Sequence, residues 1–212
     1  MKKLNNIEVL TKKELEILKK LDSVAKIQEY LDSTPYSTDP IYRSPRSVMR
    51  DRKAHCFDGA VFAALALENM GFAPLIFELK AERDDDHILA IFKKDNHWGA
   101  IGKSNFTTLR FREPVFKNLR ELALSYFEFF YNMNSEKTLR AYSVSISLKT
   151  FSDWKISDGT MEEIALCLEK SRHYQLITKK MVKNLFPIDQ LTYDAGMLGT
   201  NKEGLFDPNK KK

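Results

Sequence analysis

The chain's candidate nucleophilic chemistry rests on two cysteines and four histidines. Cys56 stands in Arg52-Lys53-Ala54-His55-Cys56-Phe57-Asp58-Gly59-Ala60, where a long apolar segment begins. A thiol with an unperturbed pKa of ~8.5 is mostly protonated near neutral pH. The positive end of a helix dipole and an imidazole within reach turn it into a nucleophile. Cys56 has the first by position, and Arg50, Arg52 and Lys53 add positive potential just upstream. His55 is adjacent in sequence, but neighbours on a helix point about 100° apart and do not face each other. His87 follows the polar run 82–86 and opens a segment in which Ile88, Ala90 and Phe92 set a period-two alternation, leaving its ring near a sheet rim. It is the preferred base. His97, at the start of the next such segment, is the runner-up, and His173 lies in a charged context that reads as surface. Cys167, within Ile164-Ala165-Leu166-Cys167-Leu168, reads as core packing. The run Asp84-Asp85-Asp86 lacks the regularly spaced companions of a cation site and reads as a solvated loop.

The elements that must position these residues follow from pattern. Thr11-Lys12-Lys13-Glu14 is a capping box. Asp22 is expected to cap a second helix through Val24, Ile27, Tyr30 and Leu31, and Ser44-Pro45 opens a short third helix. Residues 56–70 form the next helix, stopped by Gly71. Its residues 60–67 are apolar on every side, so it must be enclosed rather than lie on the surface. Segments 74–80, 87–93 and 97–102 read as strands, with Lys94-Asp95-Asn96 a hairpin turn. Downstream, 119–131 reads as an aromatic-rich helix, 141–149 as a strand and 158–170 as a helix. Glycines and prolines beyond about residue 185 suggest a loose end. Helices, one buried helix and then an antiparallel sheet make an α+β class.

Cysteine at the head of an apolar helix, a glycine closing it, a strand, then histidine opening the next strand: this order resembles the transglutaminase-like domain of the papain-like cysteine peptidase superfamily. The matching residues are 52–60, Gly71-Phe72-Ala73-Pro74, Asp86-His87-Ile88-Leu89-Ala90 and Trp98, within a core of about residues 22–115. The resemblance implies a papain-like fold with the cysteine-bearing helix on an antiparallel sheet and extra helices at both ends. It also implies a Cys-His-Asp triad in acyl transfer: Cys56 attacking an amide or ester carbonyl, His87 moving the proton, a third residue holding the ring. The family's acid after the tryptophan is missing from Trp98-Gly99-Ala100-Ile101-Gly102-Lys103-Ser104-Asn105. Ser104 and Asn105 are the remaining candidates for that place, and neither supplies negative charge. The expected activity is amide hydrolysis or acyl transfer on a peptide or protein amide, without metal or organic cofactor. The alternative is a transglutaminase-like fold kept for binding after loss of chemistry.

Composition sets the bounds. The 212 residues fit a single domain, with a C-terminal α/β extension over about 116–185 and a tail over about 186–212. Hydrophobic content of 43% and charged content of 30% are those of an ordinary globular chain. No apolar run reaches the ~18–20 residues that span a bilayer, so no membrane partner is expected. Two cysteines allow at most one disulfide, which favours a reducing compartment, and the location expected is cytoplasmic. The formal charge of +5 is small against 34 basic and 29 acidic residues, and part of it is the terminal Lys210-Lys211-Lys212, which reads as a frayed tail. Nucleic-acid binding therefore ranks last. The oligomeric state is left open.

Overall fold

The computed structural model describes residues 10–209; the basic run at 210–212 lies outside them. Thr11 caps α1 (Lys12–Lys20) with the reciprocal bonds of a capping box to Glu14. The cap of α2 (Val24–Asp32) is Ser23, not Asp22. One residue nearer, the serine oxygen reaches Lys26 N, while Asp22 pairs with the Lys26 ammonium. Ser44 caps α3 (Pro45–Asp51), which ends at Arg52 in the left-handed conformation with φ of 53°.

The central element is α4 (Cys56–Asn69). Residues 57–67 are all buried, as an all-round apolar helix must be. It lies on an antiparallel sheet whose first strands are β1 (Leu75–Ala81), β2 (His87–Lys94) and β3 (His97–Ile101). Asp95 and Asn96 both take positive φ in the β2–β3 turn, the two-residue geometry that suits the strand twist. The sheet is completed by β4 (Arg112–Phe116), β5 (Leu139–Ser143), β6 (Ile146–Ser147) and β7 (His173–Gln175), in the order β4-β3-β2-β1-β5-β7 with β6 also on β1. The protein is α+β with a seven-stranded antiparallel sheet.

The sheet separates two cores. Ile76, Ile88, Ala90, Phe92 and Ile101 face α4, with α1, α2, α3 and α6 (Gly159–Lys170) closing that side. Phe77, Leu79, Leu89, Ile91 and Ala100 face the other way, onto α5 (Leu119–Leu124) and the aromatic segment after it. That segment is not the long helix expected over 119–131. Ser125 ends α5 by donating to Leu122 O, and only a single 3-10 turn follows at Phe127–Phe129. This turn lets Tyr126 and Phe130 both enter the second core, with the Tyr126 hydroxyl on Arg110 O. The expected strand over 141–149 is likewise broken into β5, β6 and a 3-10 turn at Leu148–Thr150.

Beyond residue 185 the chain carries structure that its glycines and prolines conceal. After α7 (Lys179–Lys183) comes α8 (Gln190–Met197), which rests on Tyr131. The Tyr131 hydroxyl donates to Thr192 O at 3.1 Å, and a Cβ on Gly196 would fall 1.9 Å from that hydroxyl, so only glycine allows this approach. Among the described residues no helix is long and apolar enough to cross a membrane.

Candidate functional site

The head of α4 is built by its flanking side chains. His55 is the N-cap: its Nδ1 accepts from Asp58 N at 3.5 Å, and Asp58 returns a carboxylate oxygen to His55 N at 3.2 Å. His55 Nε2–H donates to Ile41 O at 3.1 Å, so both ring nitrogens are spent on structure and burial holds the imidazole neutral. Asp58 is fully buried and also accepts from Arg43 N at 2.8 Å, with the Arg43 guanidinium 3.6 Å away. Arg43 itself is buried and shared among Asp39, Asp51, Asp58 and Ser37. Sequence reading missed this network, although His-x-x-Asp has capping-box spacing.

Cys56 sits at the first position of this capped helix, half-buried, with its sulfur 3.8 Å from Asp86 O at the entry to β2. The backbone N–H groups of Phe57 and Ile88 also face the sulfur and favour its charged form. Burial outweighs them, and Asp85 and Asp58 add unfavourable charge, so the thiol is pushed up to about 12 and rests protonated.

His87 is only 4% exposed. Its ring lies on the sheet face of Leu89, edge-on to Phe130 with centroids 6.4 Å apart and beside the space that a Cβ on Gly102 would fill. Nε2–H donates to the carbonyl of Leu109 at 2.8 Å. That bond fixes the tautomer and leaves Nδ1 as the lone-pair nitrogen. Burial drags the imidazole down to about 4, so it is neutral. The two residues flank the start of β2, and among the described residues no hydrogen bond joins the sulfur to either ring nitrogen.

Ser104 and Asn105 also line the cavity onto which Cys56 and His87 open, but neither is hydrogen-bonded to His87 among the described residues. Ser104 Oγ accepts from Phe106 N at 3.0 Å in a local turn. Asn105 Nδ2 donates to Asn201 O and its Oδ1 accepts from Asn201 N, both at 2.8 Å, which pins the C-terminal segment. The group that orients His87 is a backbone carbonyl, invisible to any reading of residue types. His97 Nδ1 bonds Asp95 O within its own turn. His173 is no free surface residue: its Nε2 lies 2.6 Å from the buried carboxylate of Glu78. Cys167 is exposed, not core, because α6 turns Met161, Ile164 and Leu168 inward and leaves position 167 on its outer face.

Cys56 and His87 open onto one cavity of about 850 Å³ at this end of the sheet. Its walls are the 84–88 entry to β2, the cleft side of α6, the segment 36–42, and residues 203–207 of the C-terminal segment. Among the described residues no cluster of His, Cys, Asp and Glu could hold a metal ion. The chain is thus an α+β protein with a cysteine at a buried helix head and a neutral, carbonyl-held histidine in one cleft. No family model and no curated protein matches the chain.

Proposed function

We propose that the protein is a transglutaminase-like member of the papain-like cysteine peptidase fold that carries out thiol-dependent amide hydrolysis or acyl transfer on a peptide-type substrate. The observation that carries this reading is the orientation of His87: Nε2–H on Leu109 O, Nδ1 unprotonated, in the cleft that Cys56 also lines. The Leu109 carbonyl supplies the orienting function of the missing third side chain. With the thiol pushed up and the imidazole down, the resting pair is neutral rather than an ion pair. Because His87 stands on the Leu89 face of β2 and Cys56 on the α4 face, the thiol proton reaches Nδ1 through a water or substrate group held in the cleft, and it leaves only as sulfur adds to the substrate carbonyl. The carbon–nitrogen bond breaks, the amine departs with that proton, and water or an amine cleaves the thioester and restores the thiol.

The test is single-turnover acylation by p-nitrophenyl acetate with Cys167→Ser as background, read by intact mass on Cys56. The His87→Ala change is expected to slow acylation at neutral pH by about 10²–10⁴-fold. Equal rates in the two proteins would overturn the reading.

A second reading is a binding protein on the same fold. It is favoured by the missing sulfur–imidazole hydrogen bond among the described residues and by a thiol held neutral. A Cys56 that alkylates slowly, indifferent to His87, with retained ligand binding in the cleft is its expected signature.

A further inference from the structure

The charge of the cleft is opposite to that of the chain. The protein carries +5 overall, yet Glu78, Asp84, Asp85 and Asp86 line the cavity on the sheet side, Glu162 and Glu169 on α6, and Asp39, Glu203 and Asp207 opposite. Among the described lining residues Lys80 is the single lysine or arginine, and it is paired with Asp86. Some of the acids already have partners: Glu78 lies 2.6 Å from His173 Nε2, and Asp39 pairs with Arg43 and Lys53. Glu162, Glu169, Glu203 and Asp207 carry no ion pair among the described residues. A second observation asks for the same kind of ligand. His87, only 4% exposed, presents an Nδ1 acceptor with no hydrogen bond among the described residues, in a cavity whose one lining cation, Lys80, is already paired with Asp86.

We propose that the cleft binds a peptide in the polyproline II conformation bearing two basic side chains three residues apart. This rests on the cleft being the ligand site, as in the function proposed above, and specifies its substrate class. Glu162 and Glu169 are seven residues apart on α6, about 10.5 Å along a helix at ~1.5 Å per residue. In a polyproline II peptide, with three residues per turn and a rise of ~3.1 Å, residues three apart lie on the same side and about 9 Å apart. Ala165 and the half-exposed Leu166 lie between the two carboxylates on the cleft side. They offer apolar surface to the methylene stems of lysine or arginine while the charged ends meet the glutamates.

The experiment is fluorescence anisotropy on Cys56→Ser protein with labelled Gly-Lys-Ala-Ala-Lys-Gly, its Gln-for-Lys counterpart, and spermine as competitor. The cationic peptide is expected to bind at least tenfold more tightly than the neutral one. The double variant Glu162→Gln/Glu169→Gln is expected to weaken it about tenfold, and Glu163→Gln, exposed on the same helix but outside the cleft, to leave it unchanged. Equal binding of both peptides, an equal effect of Glu163→Gln, or binding of spermine without the peptide would overturn the proposal. Cationic-peptide binding alongside His87-independent acylation would sink the thiol chemistry and leave this inference standing. Intact His87-dependent acylation with no charge preference would do the reverse.

Discussion

Arg43 and Asp58 decide what the head of α4 looks like. Asp58 is wholly enclosed, and burial raises its carboxyl, while His55, the backbone N–H groups and Arg43 work the other way. A buried charge tolerates removal of its partner badly, typically at a cost of about 3–5 kcal/mol. Arg43→Ala is therefore expected to lower the urea midpoint severely, whereas Asp58→Asn in the same background recovers part of the loss because no carboxylate is left stranded. Equal midpoints for Arg43→Ala and the wild type would show that the network does not hold the site. The four site residues read from sequence all line the cleft but differ in what they bond: Leu109 O holds His87, while Asn105 is engaged with the C-terminal wall. The paired bonds of Asn105 to Asn201 lead to an expectation of their own. Asn105→Ala should speed proteolysis within 198–204 several-fold while cleavage elsewhere stays unchanged.

At the scale of elements, the approach of α4 to the sheet fixes where the sulfur sits. A Cβ on Gly59 would come 2.3 Å from the Cβ of Lys103, so helix and strand end are in backbone contact there. Lys103 cannot swing aside freely, because its ammonium donates to the carbonyls of Leu31 and Thr34 at the end of α2. Burial pulls that amine down to about 8. Gly59→Ala is expected to cost about 1–3 kcal/mol by overpacking, and to lower Tm by several degrees in a chain of this size. A Tm equal to that of the wild type would mean the contact relaxes without strain. The helix itself was legible from its uninterrupted apolar run. The early stop of α5 was not, because Tyr126 and Phe130 fit a helical stripe as well as they fit the turn that the second core selects.

At the scale of the molecule, two buried groups set opposite pH slopes on stability. His87 has a folded pKa near 4, lowered by burial, against ~6.5 unfolded. Between these values the unfolded chain binds the extra proton, so this contribution is complete above pH ~6.5 and is lost as pH falls towards 4, on the order of 3 kcal/mol in all. Asp84, raised to about 6 by burial despite its bond from Thr138, works the other way. Its folded form holds the proton more tightly, so its contribution is complete below pH ~4 and is lost as pH rises towards 6. Over pH 4 to 6 the two slopes oppose each other in the wild type, so urea midpoints should fall with rising pH in His87→Gln and rise with it in Asp84→Asn. Parallel curves for all three proteins would contradict these assignments.

What the sequence determined by itself is what local chemistry enforces. The all-apolar helix has to be enclosed, the alternation at 88, 90 and 92 has to face it, and Asp95-Asn96 has to turn, so Cys56 and His87 are brought to the same end of one sheet. Only the tertiary structure decided the rest. Backbone groups carry no residue signature, so the Leu109 carbonyl that holds His87 could not be read from a string of side chains. Nor could the acidity of the cleft, because its carboxylates come from separate stretches of chain, 39, 78, 84–86, 162–169 and 203–207, whose charges acquire a common sign only when the fold gathers them around one cavity.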